Sequence, residues 1–178
     1  MNIRNTAILL LAGLSLWFAG CASPTQPSAM VATPTGPVTR HAQSLGIAVA
    51  GGAATSAAGA SKISNEDFAE ALRQSIAQSG LFATLTAPEQ ADYRLDVQIV
   101  RLVQPLIGFS MTVTIETDWT LTRRSDRQVA WQKAITSVYT ARAGEAFAGV
   151  TRLRMATEGA ARTNIQDAIS RMSALVLP

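Results

Sequence analysis

The sequence predicts an α+β fold: a two-layer sandwich in β-α-β-β-β-α order, with a mainly antiparallel sheet and two helices packed on one face. Three observations carry this. Between residues 93 and 140, three segments alternate apolar and polar side chains with period two, as strands with one buried and one wet face do. Residues 65–79 repeat apolar side chains every four positions, with a capping residue before them and a glycine after them. Residues 150–175 carry a second helical stripe.

The first 20 of the 178 residues stand apart from this fold. Arg4 gives a positive start, residues 7–18 a short apolar run, and Ala19-Gly20 small residues before a cut, the three parts of a secretory signal. Cys21, the sole cysteine, follows at once. Phe18-Ala19-Gly20-Cys21 resembles the bacterial lipobox, with phenylalanine at the position where leucine is usual. The resemblance implies a diacylated thiol at Cys21, which becomes the mature amino terminus and holds the chain to a membrane. Ala22, where an aspartate would favour retention, implies an outer-membrane, periplasm-facing address by resemblance to lipoproteins of diderm bacteria. The other readings are an ordinary signal peptide with a stray cysteine and a short membrane anchor. Against an anchor stands the roughly 20 apolar residues that a membrane-crossing helix needs.

Residues 21–44 read as the lipidated cysteine and a tether. Pro24, Pro27, Pro34 and Pro37 lie among serine, threonine and alanine, a composition that favours extended chain over a packed core. At ~3.1 Å per residue such a segment reaches roughly 70 Å. Residues 45–178 then form a single domain, large enough for its own core. With its only thiol spent on lipid, that domain has no intrachain disulfide.

Within the domain, residues 45–50 are apolar throughout and read as a buried strand. Residues 51–61 are rich in glycine, alanine and serine but lack a phosphate-loop signature, and read as a mobile connection. Ser64 caps the first helix, Glu66 and Asp67 complement its dipole, and Phe68, Leu72 and Ile76 form its inner face. Gly80 ends it. Tyr93, Leu95, Val97 and Ile99 open the strand series, and Phe109, Met111, Val113, Ile115, Trp119 and Leu121 continue it. Val129, Trp131, Ile135 and Tyr139 complete it less strictly. Matching apolar faces sets Val103 opposite Phe109, Val97 opposite Ile115, and Tyr93 opposite Trp119. In the second hairpin it sets Leu121 opposite Val129, Trp119 opposite Trp131, Ile115 opposite Ile135, and Thr117 opposite Lys133. An inward Lys133 marks its strand as a sheet edge.

Candidate chemistry is sparse. His41, the only histidine, falls in the expected tether, and no spacing of metal ligands is visible. Glu116 and Asp118 share the wet face of one strand, about 6.6–7 Å apart, a separation compatible with paired-carboxylate glycoside hydrolysis. With no aromatic residue on that face beside them, the pair reads as solvated acids. No catalytic residue, metal site or cofactor is therefore expected, and the protein is read as not an enzyme. Removing the leader leaves 14 basic and 12 acidic groups, a balance that excludes a nucleic-acid surface. The turn Arg123-Arg124-Ser125-Asp126-Arg127 offers three arginines, Arg123, Arg124 and Arg127, as candidate contacts for an acidic partner. The two long strands before and after it exceed the roughly 9–11 residues of a membrane-spanning strand, so an oligomeric pore stands beside a soluble sheet. The soluble sheet is preferred because Glu116, Asp118 and Lys133 fall mid-hairpin and two helices are available to cover the apolar face.

Gln78-Ser79-Gly80-Leu81-Phe82 followed by Ala91-Asp92-Tyr93-Arg94-Leu95-Asp96-Val97 resembles a passage in small periplasmic α/β domains. These are the TolB amino-terminal domain, the LpoB-type activators of penicillin-binding proteins and the curli secretion lipoprotein. The resemblance covers residues 45–175 and implies binding or scaffolding in the envelope without a cofactor, through a periplasmic protein partner or self-association. It transfers no site residue. The alternative is a component of lipid or polysaccharide export, and the third reading is an enzyme using surface carboxylates.

Overall fold

The computed structural model describes residues 23–55 and 61–178. The expected leader and Cys21 lie outside the described residues, as do positions 56–60 of the connection expected at 51–61.

The architecture is α+β, with α1 (Pro27–Met30), β1 (His41–Ala50), α2 (Asn65–Ser79), β2 (Phe82–Thr86), β3 (Tyr93–Val103), β4 (Met111–Arg123), β5 (Val129–Ala141) and α3 (Gly149–Met172) in chain order. The sheet order is β2-β1-β3-β4-β5. β1 runs parallel to both β2 and β3, and β3, β4 and β5 form the expected antiparallel meander. The sheet is thus mixed and five-stranded, where four strands were expected. β2 is the addition, and α2 is the crossover that lets it lie parallel to β1.

The two parallel neighbours are staggered along β1. Gly46 pairs with the last residue of β2, Thr86, while Leu45 pairs with the first residue of β3, Tyr93. The connecting chain therefore crosses β1 at Gly46. Ser44 and Asp92 clasp the crossing: Asp92 Oδ2 accepts from the Ser44 amide at 2.8 Å and hydroxyl at 2.6 Å, and Ser44 Oγ accepts from the Asp92 amide at 2.9 Å. These donors hold the Asp92 carboxyl below the usual carboxylate range.

α2 has the bounds its pattern predicts. Ser64 Oγ accepts from the Asp67 amide, and Gly80 takes the left-handed conformation at φ 65°. Phe68, Leu72 and Ile76 are fully buried, and the Phe68 ring lies 6.1 Å from that of Trp119 on β4. α3 begins and ends slightly earlier than expected, and packs on β4 and β5. A β-carbon on Gly159 would lie 2.4 Å from the Tyr139 ring, so the bare backbone at that point brings α3 down onto β5.

At the centre of this layer lies a polar cluster. Trp119 Nε1 donates to Thr117 Oγ1 at 2.7 Å, and Thr117 donates to Asn164 Oδ1 at 2.8 Å. Asn164 Nδ2 donates to the Ile135 carbonyl at 3.1 Å and to Ser137 Oγ at 3.3 Å. All four side chains are buried, so the bonds fix α3 on the two strands where apolar contacts alone would let it slide.

The expected tether is corrected at residues 25–32, which pack on the domain, and at residues 41–44, which belong to β1. Residues 25–32 pack between α2 and α3, with Met30 and Ala32 fully buried. The Ala32 amide donates to Ser75 Oγ at 2.9 Å, the Gln26 amide to Glu158 at 3.0 Å, and Arg162 to the Ala29 carbonyl at 3.0 Å. β1 starts at His41, not Leu45, and His41 is buried against Phe82 with Nε2 3.0 Å from the Met172 carbonyl. Apolar burial at two positions and these bonds offset the ordering cost that a Pro/Ser/Thr segment otherwise resists.

Both hairpin registers shift by an even number of residues from expectation. Val97 faces Trp119, Trp119 faces Lys133 and Thr117 faces Ile135. Up to the irregularity between Ile99 and Arg101 an even slip keeps each side chain on its own face while the partners change; beyond it Leu102 packs on the core and Val103 is exposed. Phe109 is an exception, lying outside β4 and exposed. Lys133 is exposed on β5, which is an edge strand.

Candidate interaction surfaces

Both long helices cover one face of the sheet, and the opposite face is open. Beyond Gly46, which the β2–β3 connection covers, β1 presents Ala48 and Ala50 on that face, and a shallow trough of about 350 Å³ lies along them. β3 and β4 wall the trough with Arg94, Asp96, Gln98, Asp118 and Thr120. Small side chains on β1 produce the depression, and the longer polar side chains beside it line a wall of mixed charge. Arg94 and Asp96 pair across one turn of the strand at 2.8 Å, leaving Asp118 as the carboxylate without an ion pair among the described residues.

Glu116 and Asp118 do share this face, as expected, but they do not act as a pair. Glu116 lies in register with Arg101 on β3 and bonds its guanidinium, which holds the Glu116 carboxyl below its ordinary value. A carboxyl so held stays ionised and is a poor proton donor.

Of the turn arginines, two are committed internally. Arg123 Nε donates to Asp126 at 3.0 Å and the same side chain reaches Gln128, which together close the turn. Arg123 and the Gln128 amide keep the Asp126 carboxyl low. Arg124 Nε donates to the Ala91 carbonyl at 2.8 Å and its amide to the Asp92 carbonyl at 2.9 Å, tying the turn to the crossing over β1. Arg127 is exposed, at φ 60°, with no side-chain bond among the described residues. The cluster of three thus reduces to one outward cation. Sequence shows the three charges but not the backbone carbonyl and carboxylate that occupy two of them.

At the opposite end of the sheet, the described part of the 51–61 connection borders a cleft of about 200 Å³ with Lys62, Ile99 and Arg101. Lys62 N–H donates to Thr55 Oγ1 at 2.8 Å, and Gly52 N–H to Asn65 Oδ1 at 2.7 Å. The same end carries a feature missed in the sequence: Leu106, Ile107 and Phe109 in the β3–β4 loop and Phe147 in the β5–α3 loop are almost wholly exposed. Its signal was an apolar run without strand alternation, Leu106-Ile107, beside a phenylalanine assigned to the core. Among the described residues, no three histidine, cysteine or acidic side chains cluster to hold a metal, and no helix is long and apolar enough to cross a membrane.

An α+β domain with a helix-covered inner face and an open polar outer face is thus defined. No family model and no curated protein matches the sequence. Among solved structures, protein XCC0632 from Xanthomonas campestris, of family DUF330, matches with TM-score 0.66 and 16% identity over 85% of this chain and 95% of that one. The hypothetical protein CT253 from Chlamydia trachomatis matches with TM-score 0.56 and 10% identity over 76% and 98%. A PelC dodecamer from Paraburkholderia phytofirmans matches at 0.48 and 14% identity over 80% and 95%, too slight to carry an argument. With XCC0632 and CT253 this chain shares the fold.

Proposed function

We propose that this protein is a non-catalytic envelope lipoprotein, anchored in the outer membrane through Cys21, that holds a periplasmic protein partner on its open sheet face. The observation that carries the binding role is the division of the sheet: two helices occupy one face, and the other is a five-stranded platform with a trough along Ala48 and Ala50. Strands joined by continuous hydrogen bonding lose little entropy on binding, which favours a platform over a mobile loop as a docking surface. The lipobox-like Phe18-Ala19-Gly20-Cys21 supports the address.

The test is a photo-crosslinking residue placed at Ala48 or Thr120 in the cell that makes the protein. A discrete adduct to one envelope protein, lost in Asp118→Lys, is expected. Crosslinks absent from this face, with the protein folded and abundant, overturn the platform reading. An adduct between two copies moves self-association to first place.

A further inference from the structure

We infer that the loop tips bearing Leu106, Ile107, Phe109 and Phe147 dock in the bilayer surface beside the lipid anchor, holding the domain against the membrane. This rests on the proposed acylation of Cys21.

The four side chains are exposed at 98%, 88%, 86% and 104% of their full areas, far beyond a scatter of single surface apolars. They come from two loops that meet at one end of the sheet, since Met111 and Ala141, the residues flanking those loops, are paired. Phe147 is held outward by construction: Arg152 donates to the carbonyls of Ala146 and Phe147, the latter at 2.8 Å. Exposed Lys62 and Arg142 stand at the same end, where anionic headgroups would meet them.

The path of the chain chooses the bilayer as occupant. Ser23 is bonded to the domain, its carbonyl accepting from Ser61 Oγ at 2.8 Å. The Ser61 carbonyl in turn accepts from Gln104 Nε2 at 2.6 Å, and Gln104 is the root of the Leu106–Phe109 tip. Cys21 is two residues before Ser23, a reach of at most about 7 Å. Acyl chains on Cys21 therefore enter the membrane next to the apolar tips, without the slack that a tether of residues 21–44 would give. Burial of apolar side chains in the interface adds to acyl anchoring, as it does for amphipathic segments beside lipid groups.

The experiment uses full-length, acylated protein in nanodiscs of phosphatidylethanolamine and phosphatidylglycerol carrying doxyl-labelled lipid. Indole quenching is read for Phe109→Trp and Phe147→Trp, with Thr120→Trp on the open sheet face as reference and the wild-type signal subtracted. At least threefold stronger quenching at both tips than at position 120 is expected. Equal quenching at all three, with acylation verified by the mass of the Cys21 peptide, overturns the docking. A Cys21 peptide without lipid overturns the anchoring reading instead, so the two failures are separable. A multimer that dissociates in the triple variant L106S, I107S, F109S also overturns the docking, assigning the tips to a second copy.

Discussion

A β-carbon on Gly46 would stand 2.3 Å from Cα of Pro88, because the chain leaving β2 crosses β1 at that residue to begin β3. The obstacle is main chain and cannot rotate away. Gly46→Ala is expected to lower stability by about 1–3 kcal/mol, the range of overpacking strain, with the Ser44–Asp92 clasp opened. Gly144→Ala, whose β-carbon would meet nothing within 4 Å, is the control. Denaturant midpoints for both decide it; equal midpoints would show that the loop does not cross here.

Asn164 is the hub between α3 and the meander. Asn164→Ala removes the amide donor to the Ile135 carbonyl and the Ser137 hydroxyl, and leaves the Thr117 hydroxyl only the longer bond to the Ile135 carbonyl at 3.2 Å. A loss of about 2–3 kcal/mol is expected from unsatisfied buried groups together with the space vacated. The Trp119 indole reports on the same event through near-ultraviolet circular dichroism, since its N–H also lies 3.3 Å from Asn164 Oδ1.

Met30 distinguishes a packed arm from a tether. It is fully buried, so Met30→Ala is expected to cost about 2–5 kcal/mol in chemical denaturation. A change under about 0.5 kcal/mol, the usual size for a free surface site, would return residues 25–32 to the solvent.

These three residues also mark where the sequence is legible. Local signals sufficed for α2, whose capping serine, four-residue apolar spacing and terminal glycine all lie within its own length. Strand faces were equally legible, because alternation fixes parity. Register was not: Val97 meets Trp119 instead of Ile115, and any even slip satisfies the same apolar matching. The irregularity between Ile99 and Arg101 adds a further offset that no pattern encodes. β2 was missed because the five residues Phe82–Thr86 show no full alternation, and a parallel edge strand draws its stability from β1 and the α2 crossover. Met30, Ala32 and His41 were hidden by their proline-rich surroundings. Met30 and Ala32 are buried in a groove between α2 and α3, and His41 against Phe82 and the end of α3, surroundings that exist only after the fold is assembled. At the candidate surfaces, residue type was visible and commitment was not, as Arg123 and Arg124 illustrate.

Glu158 predicts a pH dependence. It is buried on α3, and desolvation raises its carboxyl above the ordinary value, opposed by the Gln26 amide, Arg154 and Arg162. The folded state thus binds this proton more tightly than the unfolded chain does. The stability contributed by protonation is fully present below the unfolded value of about 4.5 and is lost as pH rises through the higher folded value. Glu158→Gln keeps an acceptor for the Gln26 amide and removes the titration. Its melting temperature is expected to fall less than that of the wild type between pH 4.5 and 7.5, with the two curves closest at the acid end. Parallel curves over this range would show that Arg154, whose Nε lies 3.7 Å from the carboxylate, and Arg162 fully compensate the desolvation. The contact at stake joins α3 to residue 26, five positions from Cys21. A flatter stability curve in Glu158→Gln would therefore show that folding desolvates this carboxyl where the arm packs on α3.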